Sequence, residues 1–279
     1  MASKTGFPIC GCELLRTHQE ASICPLGVRT VYQPTDMILT VVFCRPYARP
    51  LEFHEIRLGR LLTMDMVFLV RGETELTALR DKIACASDFA TAEDLSDKPR
   101  GQLNPSFAKD LYPSGFFYIH DTFYNDGREE GSIDYSRPIL QWAERHRDEV
   151  DADAMKAERM EGVRFRDLTL RLGQPYLYLH QGTCEHLFMV TSVRLQHPDD
   201  CQEADYYPIC ISSKSKKRTP CMACKRYTAK YVIYGSMRLP TDTGFFCEDC
   251  FRAFFYGPDG QKVEDFQAVL YNDKSALIA

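Results

Sequence analysis

The feature that most constrains the fold of this chain is a pair of Cys-x-x-Cys sequences in its last third. The first is Cys221-Met-Ala-Cys224 and the second is Cys247-Glu-Asp-Cys250, with 22 residues between them. Each sequence can place two thiolates on one side of a metal ion, and the residues between are enough for strands to bring the pairs together. The spacing therefore predicts a zinc ribbon. Because four sulfur ligands leave no open coordination position, this metal would be structural and would hold a surface in place.

A second set of metal-ligating residue types precedes the first, and its members are His180, Cys184, His186 and His197. The first three can surround a turn at the end of a strand, and His197 returns after the apolar run Leu187 to Val193. Cys201 could replace His197. Some of these residues could instead be ordinary core or surface side chains. The pattern favours a second structural zinc site.

A third group has ligand-type residues in a short window near the N-terminus: Cys10, Cys12, His18 and Cys24. Its spacing matches no closed zinc motif. We therefore expect this group to bind no metal and its cysteines to be reduced, as in a reducing compartment.

Composition excludes several classes of protein. A hydrophobic content of 44% and an aromatic content of 12% in 279 residues indicate globular structure. The sequence has no run of 18 apolar residues, the length that could span a membrane, and its first residues do not resemble a secretory signal. Together with the paired cysteines, this predicts a protein of the cytosol or nucleus.

The charge of the chain is unevenly distributed. The net charge is −5, which is unfavourable for a protein that binds nucleic acid alone. A basic segment nevertheless lies around the first cysteine pair, and no acidic residue interrupts it: Lys214, Lys216, Lys217, Arg218, Lys225, Arg226 and Lys230. It could be a solvated loop. Beside a zinc site, we favour contact with an anion, of which the DNA phosphate backbone is the natural candidate.

Hydrophobic periodicity predicts an α+β protein. Two apolar runs, Met37 to Phe43 and Met66 to Val70, read as strands, and Glu73 to Ser87 has one apolar helical face. This order suits a β-grasp, ubiquitin-like module, although a simpler sheet-and-helix layer has the same pattern. We divide the chain into an irregular leader (1–35), an α+β module with a linker at 88–110 (36–110), a strand-and-helix region for partner contact (111–170) and a zinc-binding domain (171–279).

The cysteine motifs of this chain partly match those of two classes of zinc enzyme. Thr219-Pro-Cys-Met-Ala-Cys224 contains half the signature of zinc nucleobase deaminases, but the only His-x-Glu is His18-Gln-Glu20, far upstream. The second cysteine pair would also close such a site. A zinc-dependent ubiquitin ligase would need two interleaved ligand sets, whereas these sets are consecutive. We therefore expect a protein that is not an enzyme.

Taken together, several segments resemble one family, subunit three of the small-nuclear-RNA-activating protein complex. The likeness spans roughly residues 36–275, and these segments carry it: Lys109-Asp-Leu-Tyr112, Thr122-Phe-Tyr-Asn-Asp126, Leu172-Gly-Gln-Pro-Tyr-Leu-Tyr-Leu-His-Gln-Gly182, Cys184-Glu-His186, Arg194-Leu-Gln-His-Pro-Asp-Asp200, Cys221-Met-Ala-Cys224 and Phe246-Cys-Glu-Asp-Cys250.

The resemblance implies a nuclear basal transcription factor that binds the proximal sequence element of small-nuclear-RNA promoters for RNA polymerases II and III. It implies two zinc sites, one formed by His180, Cys184, His186 and His197 and one by the four Cys-x-x-Cys cysteines. It also implies partners: a Myb-repeat subunit, a small scaffolding subunit and the TATA-binding protein machinery. A scaffold without DNA contact is the competing interpretation.

Overall fold

The computed structural model describes residues 36–46, 63–91, 93–97, 106–214 and 218–271. The chain divides into two compact units. One contains residues up to 83 together with 113–214, and the other contains 84–112 together with the chain from 215 onward. Each unit therefore takes its residues from two separate parts of the sequence, which the predicted division into four consecutive segments does not anticipate.

The first unit is built on an eight-stranded sheet. Its strand order is β5-β4-β3-β6-β7-β1-β2-β8, antiparallel throughout except for the parallel pair β4–β5. The strands are β1 (Met37–Cys44), β2 (Met64–Arg71), β3 (Gly115–Ile119), β4 (Thr122–Asn125), β5 (Lys156–Arg159), β6 (Tyr176–His180), β7 (Cys184–Leu195) and β8 (Ile209–Ser213).

The core of this sheet lies around β1, which explains its nearly continuous apolar sequence. β1 pairs with β2 on one edge and with β7 on the other, and Val41 and Phe43 are fully buried. The ring of Phe43 stacks on Phe188 of β7 with centroids 5.3 Å apart. A central strand with neighbours on both edges and cover on its faces needs apolar residues at most positions.

Two helices accompany the sheet. Helix α1 (Leu76–Lys82) follows β2 and buries Leu76 and Leu79 completely. It is shorter than the predicted stretch to Ser87, because the chain turns extended at Ile83. Numbered in chain order, α2 (Ala108–Leu111) is a single turn of the second unit, and α3 (Ser136–Arg145) has ten residues. No helix among the described residues is long and apolar enough to cross a membrane.

The prediction of a mixed α+β fold is confirmed, but a separate β-grasp module is not found in the described residues. β1 and β2 do not stand alone, because β7 and β8, from sequence far downstream, pair with their outer edges. The apolar sequence of a strand indicates that the strand is buried. It does not indicate which distant strand pairs with its edge. The two strands were therefore predicted correctly, while their pairing with β7 and β8 was not predicted.

The second unit contains a three-stranded antiparallel sheet of order β10-β9-β11 and one longer helix. Its elements are β9 (Tyr231–Tyr234), β10 (Thr243–Phe246), α4 (Glu248–Phe255) and β11 (Gln267–Leu270). Its core is dominated by aromatic side chains, namely Tyr231, Phe246, Phe251, Phe255 and Phe266. The rings of Tyr231 and Phe251 stack with centroids 4.3 Å apart, which fixes α4 against the sheet.

Part of the stretch predicted to be a linker belongs to this core. Leu95 is 1% exposed and packs in the aromatic cluster of the second unit. Its backbone N–H donates to the carbonyl of Ala268 at 2.7 Å, and the Asp94 carboxylate accepts from the Ala268 N–H at 3.0 Å. The polar composition around Leu95 hid this role, because one apolar residue gives no periodic signal.

Candidate metal centres and basic surface

The first cysteine pair lies on a tight turn before β9. The backbone N–H of Lys225 donates to the Cys221 carbonyl at 2.9 Å, and Lys225 adopts a left-handed conformation with φ of 55°. The N–H of Cys221 donates in turn to the Tyr227 carbonyl at 2.8 Å. This closed turn points the two thiols the same way and leaves the side chains that follow Cys224 at the surface.

The second cysteine pair lies at the start of a helix, which corrects the predicted ribbon. Cys247 follows β10 and occupies the N-cap position of α4, and Cys250 lies in the first helical turn. The sequence carried a signal for this helix, since Phe251 and Phe255 are four residues apart and both face the core. A ribbon would place the second pair on another strand turn. Here a turn, a β-hairpin and a helix surround the site.

The four sulfur atoms of this cluster have the spacing of a tetrahedral metal site. All four lie within 4.8 Å of one another, and Cys224 Sγ is 3.8 Å from Cys247 Sγ. Zinc–sulfur bonds of about 2.3 Å arranged tetrahedrally give sulfur–sulfur edges of about 3.8 Å. The residues present therefore fit a zinc ion with four thiolate ligands.

The thiols of this cluster ionise very unequally. Backbone N–H groups of Tyr227 and Arg226 point at Cys224 Sγ and lower its pKa to about 6. Burial, with the neighbouring thiols, raises the pKa of Cys250 to about 12, and burial also raises the pKa of Cys247. Four thiolates this close repel one another unless a cation lies between them. A bound divalent metal would keep all four deprotonated.

A second cluster is built on the β6–β7 hairpin. His180 ends β6, Cys184 begins β7, and the two residues are cross-strand partners. Gln181 and Gly182 have φ of 53° and 77° and form the tight turn between them. His186 lies two residues after Cys184 and therefore on the same face of the strand. The hairpin thus brings three of the predicted ligands together.

Distances in this cluster also fit a metal. His180 Nε2 is 3.2 Å from His186 Nε2, and Cys184 Sγ is 3.7 Å from the same nitrogen. Tetrahedral zinc with its usual bond lengths gives nitrogen–nitrogen edges of about 3.3 Å and sulfur–nitrogen edges of about 3.6 Å. None of the three residues is more than 4% exposed. Such a closed site suits a structural ion.

His197 and Cys201 lie elsewhere. The His197 side chain is 65% exposed, and its Nδ1 lies 3.3 Å from the Asp199 carboxylate. Cys201 is buried against Ile38 and Tyr207. Among the described residues, the structure brings neither of them into the hairpin cluster. The possible N-terminal group at residues 10–24 lies outside the described residues.

The predicted basic segment is only partly available for contact. Arg218, Lys225 and Arg226 are exposed in the second unit, whereas Lys230 forms an ion pair with Glu248 at 2.6 Å. Lys214, the residue after β8, is exposed and belongs to the first unit. The remaining two, 216 and 217, lie outside the described residues. The most compact exposed positive charge is therefore the pair beside Cys224.

Comparison with known proteins shows which sequences this chain is similar to. The family model described as snRNA-activating protein complex (SNAPc), subunit 3, matches residues 66–272. The rat, bovine and mouse proteins named snRNA-activating protein complex subunit 3 are each 42% identical to this chain over 205 residues. The match covers 74% of this chain and 49–50% of those proteins, so the chain spans about half the length of the curated relatives it matches.

The matched region contains the β6–β7 hairpin, the four-cysteine cluster and the basic turn that carries Cys221 and Cys224. The resemblance noted from the sequence is confirmed. The chain belongs to the snRNA-activating protein complex subunit 3 family.

Proposed function

We propose that this chain is a DNA-contacting subunit of a complex that activates small-nuclear-RNA transcription. The observation that carries the proposal is the position of two exposed cations, Lys225 and Arg226, on the turn that holds Cys221 and Cys224. Family membership supports the assembly, and this geometry supports the contact. In the proposed role the complex recognises the proximal sequence element for RNA polymerases II and III.

Two structural zinc ions belong to the proposal. One would be held by Cys221, Cys224, Cys247 and Cys250, and the other by His180, Cys184 and His186 of the β6–β7 hairpin. The spacing of their ligand atoms supports both assignments. The four-cysteine cluster leaves no coordination position for a substrate, which favours a role without catalysis.

The charge of the chain supports action within a complex. With a net charge of −5, the chain alone would be a weak binder of DNA phosphates. A Myb-repeat subunit, a small scaffolding subunit and the TATA-binding protein machinery are the proposed partners, and the nucleus is the proposed location. The basic turn would then add one local contact to DNA that the partners hold.

A scaffold role without DNA contact is the second candidate. The ion pair between Lys230 and Glu248 favours it, since that part of the basic segment is already neutralised within the chain. The two functions differ in the role of the exposed cations, because a scaffold does not require them to contact DNA phosphates.

Photo-crosslinking tests the contact directly. The tagged chain would be purified from nuclear extract with its partners and bound to duplex DNA from a small-nuclear-RNA promoter, with a photo-crosslinker placed at Met222 on the cysteine turn. We expect a crosslink to DNA. Recovery of the complex on the promoter with crosslinks from Met222 to protein alone would favour the scaffold, and failure to recover promoter DNA would contradict the wider proposal.

A further inference from the structure

Tyr227 directly follows the two exposed cations and has an unusual environment. It is 62% exposed, more than any other tyrosine that the structure describes. Exposing a large ring to water is unfavourable, and tyrosines at such positions are frequent where proteins contact ligands. Lys225, Arg226 and Tyr227 therefore form three consecutive exposed residues, which we name the knuckle triplet.

The backbone of the knuckle triplet is fixed by the cysteine turn. The Tyr227 carbonyl accepts from the Cys221 N–H at 2.8 Å, and the N–H groups of Arg226 and Tyr227 point at Cys224 Sγ. A β-bridge between Pro220 and Thr228 closes the base of the loop. The triplet is thus a rigid surface, and presenting it costs less entropy than ordering a mobile loop.

Some other cations of the second unit are engaged within it. Lys230 pairs with Glu248, and Arg238 lies over the Phe254 ring at 5.7 Å while donating to the Phe254 carbonyl at 2.9 Å. In the part of the chain that the structure describes, the side chains of Lys225 and Arg226 form no ion pair or hydrogen bond. Their charge is therefore available to an anion.

We propose that the knuckle triplet binds nucleic acid that carries an unstacked base, with Lys225 and Arg226 on backbone phosphates and the Tyr227 ring stacked on the base. This inference rests on the proposed DNA contact and deepens it. Cations bind any phosphate backbone, whereas an aromatic face adjacent to them adds a contact that a fully stacked duplex does not offer. The ligand class is an opened duplex or a single strand.

The test measures binding of the zinc-loaded complex to three labelled probes: paired promoter duplex, the same duplex with a short internal mismatch, and the single strand. Tyr227→Ala should weaken binding to the mismatched and single-stranded probes by about 5- to 150-fold. It should change binding to the paired duplex much less, and Tyr227→Phe should bind like the original chain. Tyr234→Ala, on the same unit, is the control for loss of an exposed ring.

A charge variant separates this inference from the proposed function. Lys225→Asn with Arg226→Gln removes both charges, and asparagine tolerates the left-handed backbone at 225. It should make the plot of log K against log salt less steep, with the negative slope reduced in magnitude by about 2. Tyr227→Ala should leave the slope unchanged. The zinc content of every variant is measured, so that loss of the fold is recognised.

Several outcomes would overturn the inference. If the charge variant lowers the slope but Tyr227→Ala binds all probes normally, the stacking contact is wrong and the DNA contact stands. Equal weakening on paired and mismatched probes would also refute stacking on an unstacked base. If neither variant affects any probe, the DNA contact itself fails. If Tyr227→Ala instead releases a partner subunit, the triplet is a protein interface.

Discussion

Cys224 Sγ lies 3.8 Å from Cys247 Sγ, although 22 residues separate the two cysteines in the chain. The intervening residues form a β-hairpin, β9–β10, whose return brings the start of α4 beside the cysteine turn. A metal at this point would fasten turn, hairpin and helix together.

Substitution of a ligand in the four-cysteine cluster should remove one metal ion and unfold the second unit. Cys221→Ser leaves three thiols, and structural zinc commonly contributes on the order of 10 kcal/mol to the folding of small domains. We expect zinc content to fall from two ions per chain to one, measured by elemental analysis, with new protease cleavage in β9–α4. Cys210→Ser, in a half-buried cysteine outside both clusters, is the control and should retain two ions.

The second cluster should depend on Cys184 and not on His197. Cys184→Ser removes a buried ligand-type residue, whereas His197→Ala changes a side chain that is 65% exposed. We expect the first substitution to release one zinc ion and the second to release none. Loss of a zinc ion from His197→Ala would restore the ligand set that the family resemblance implied.

These two clusters mark how far the sequence could predict the site. Spacing within short segments identified His180, Cys184 and His186 and the four-cysteine set, because local turns bring such residues together. The exposure of His197 could not be predicted, because ligand type and spacing do not show which side chains the tertiary structure buries. The strands β1 and β2 were likewise predictable from their apolar runs, while their pairing with β7 and β8 depends on contacts distant in sequence.

Removal of the Leu95 side chain should destabilise the second unit. Leu95 is 1% exposed in the aromatic core, and truncating a buried leucine commonly costs about 2–5 kcal/mol. Leu95→Ala should therefore lower the urea midpoint for unfolding of the second unit. Hydrogen exchange of the β11 amides measures that midpoint. Leu111→Ala is the matched control, since Leu111 is 59% exposed and its loss should cost less than about 0.5 kcal/mol. Equal effects of the two substitutions would contradict the placement of Leu95.

The ion pair between Arg194 and Asp200 should make stability depend on acid pH. Hydrogen bonds from the Arg194 guanidinium lower the pKa of Asp200 below its ordinary value of 3.8. A carboxylate with a lowered folded-state pKa stabilises the fold above its unfolded pKa, and that stability is lost as pH falls through the folded pKa.

Because Arg194 is 44% exposed, the contribution at neutral pH should be only about 0.2–1 kcal/mol. Asp200→Asn should therefore unfold at lower urea than the original chain at pH 7, and the difference should vanish well below pH 3.8. A difference that persists or grows in acid would have another cause.

The most direct test of the two metal centres is X-ray absorption at the zinc edge on the purified full chain, with the zinc-to-protein ratio measured on the same sample. We expect two zinc ions per chain, with five sulfur and two nitrogen ligands supplied by the four-cysteine cluster and the β6–β7 hairpin. A third nitrogen ligand would show that His197 also binds zinc. One ion per chain, or a first shell dominated by oxygen, would contradict the assignment of both clusters as structural zinc sites.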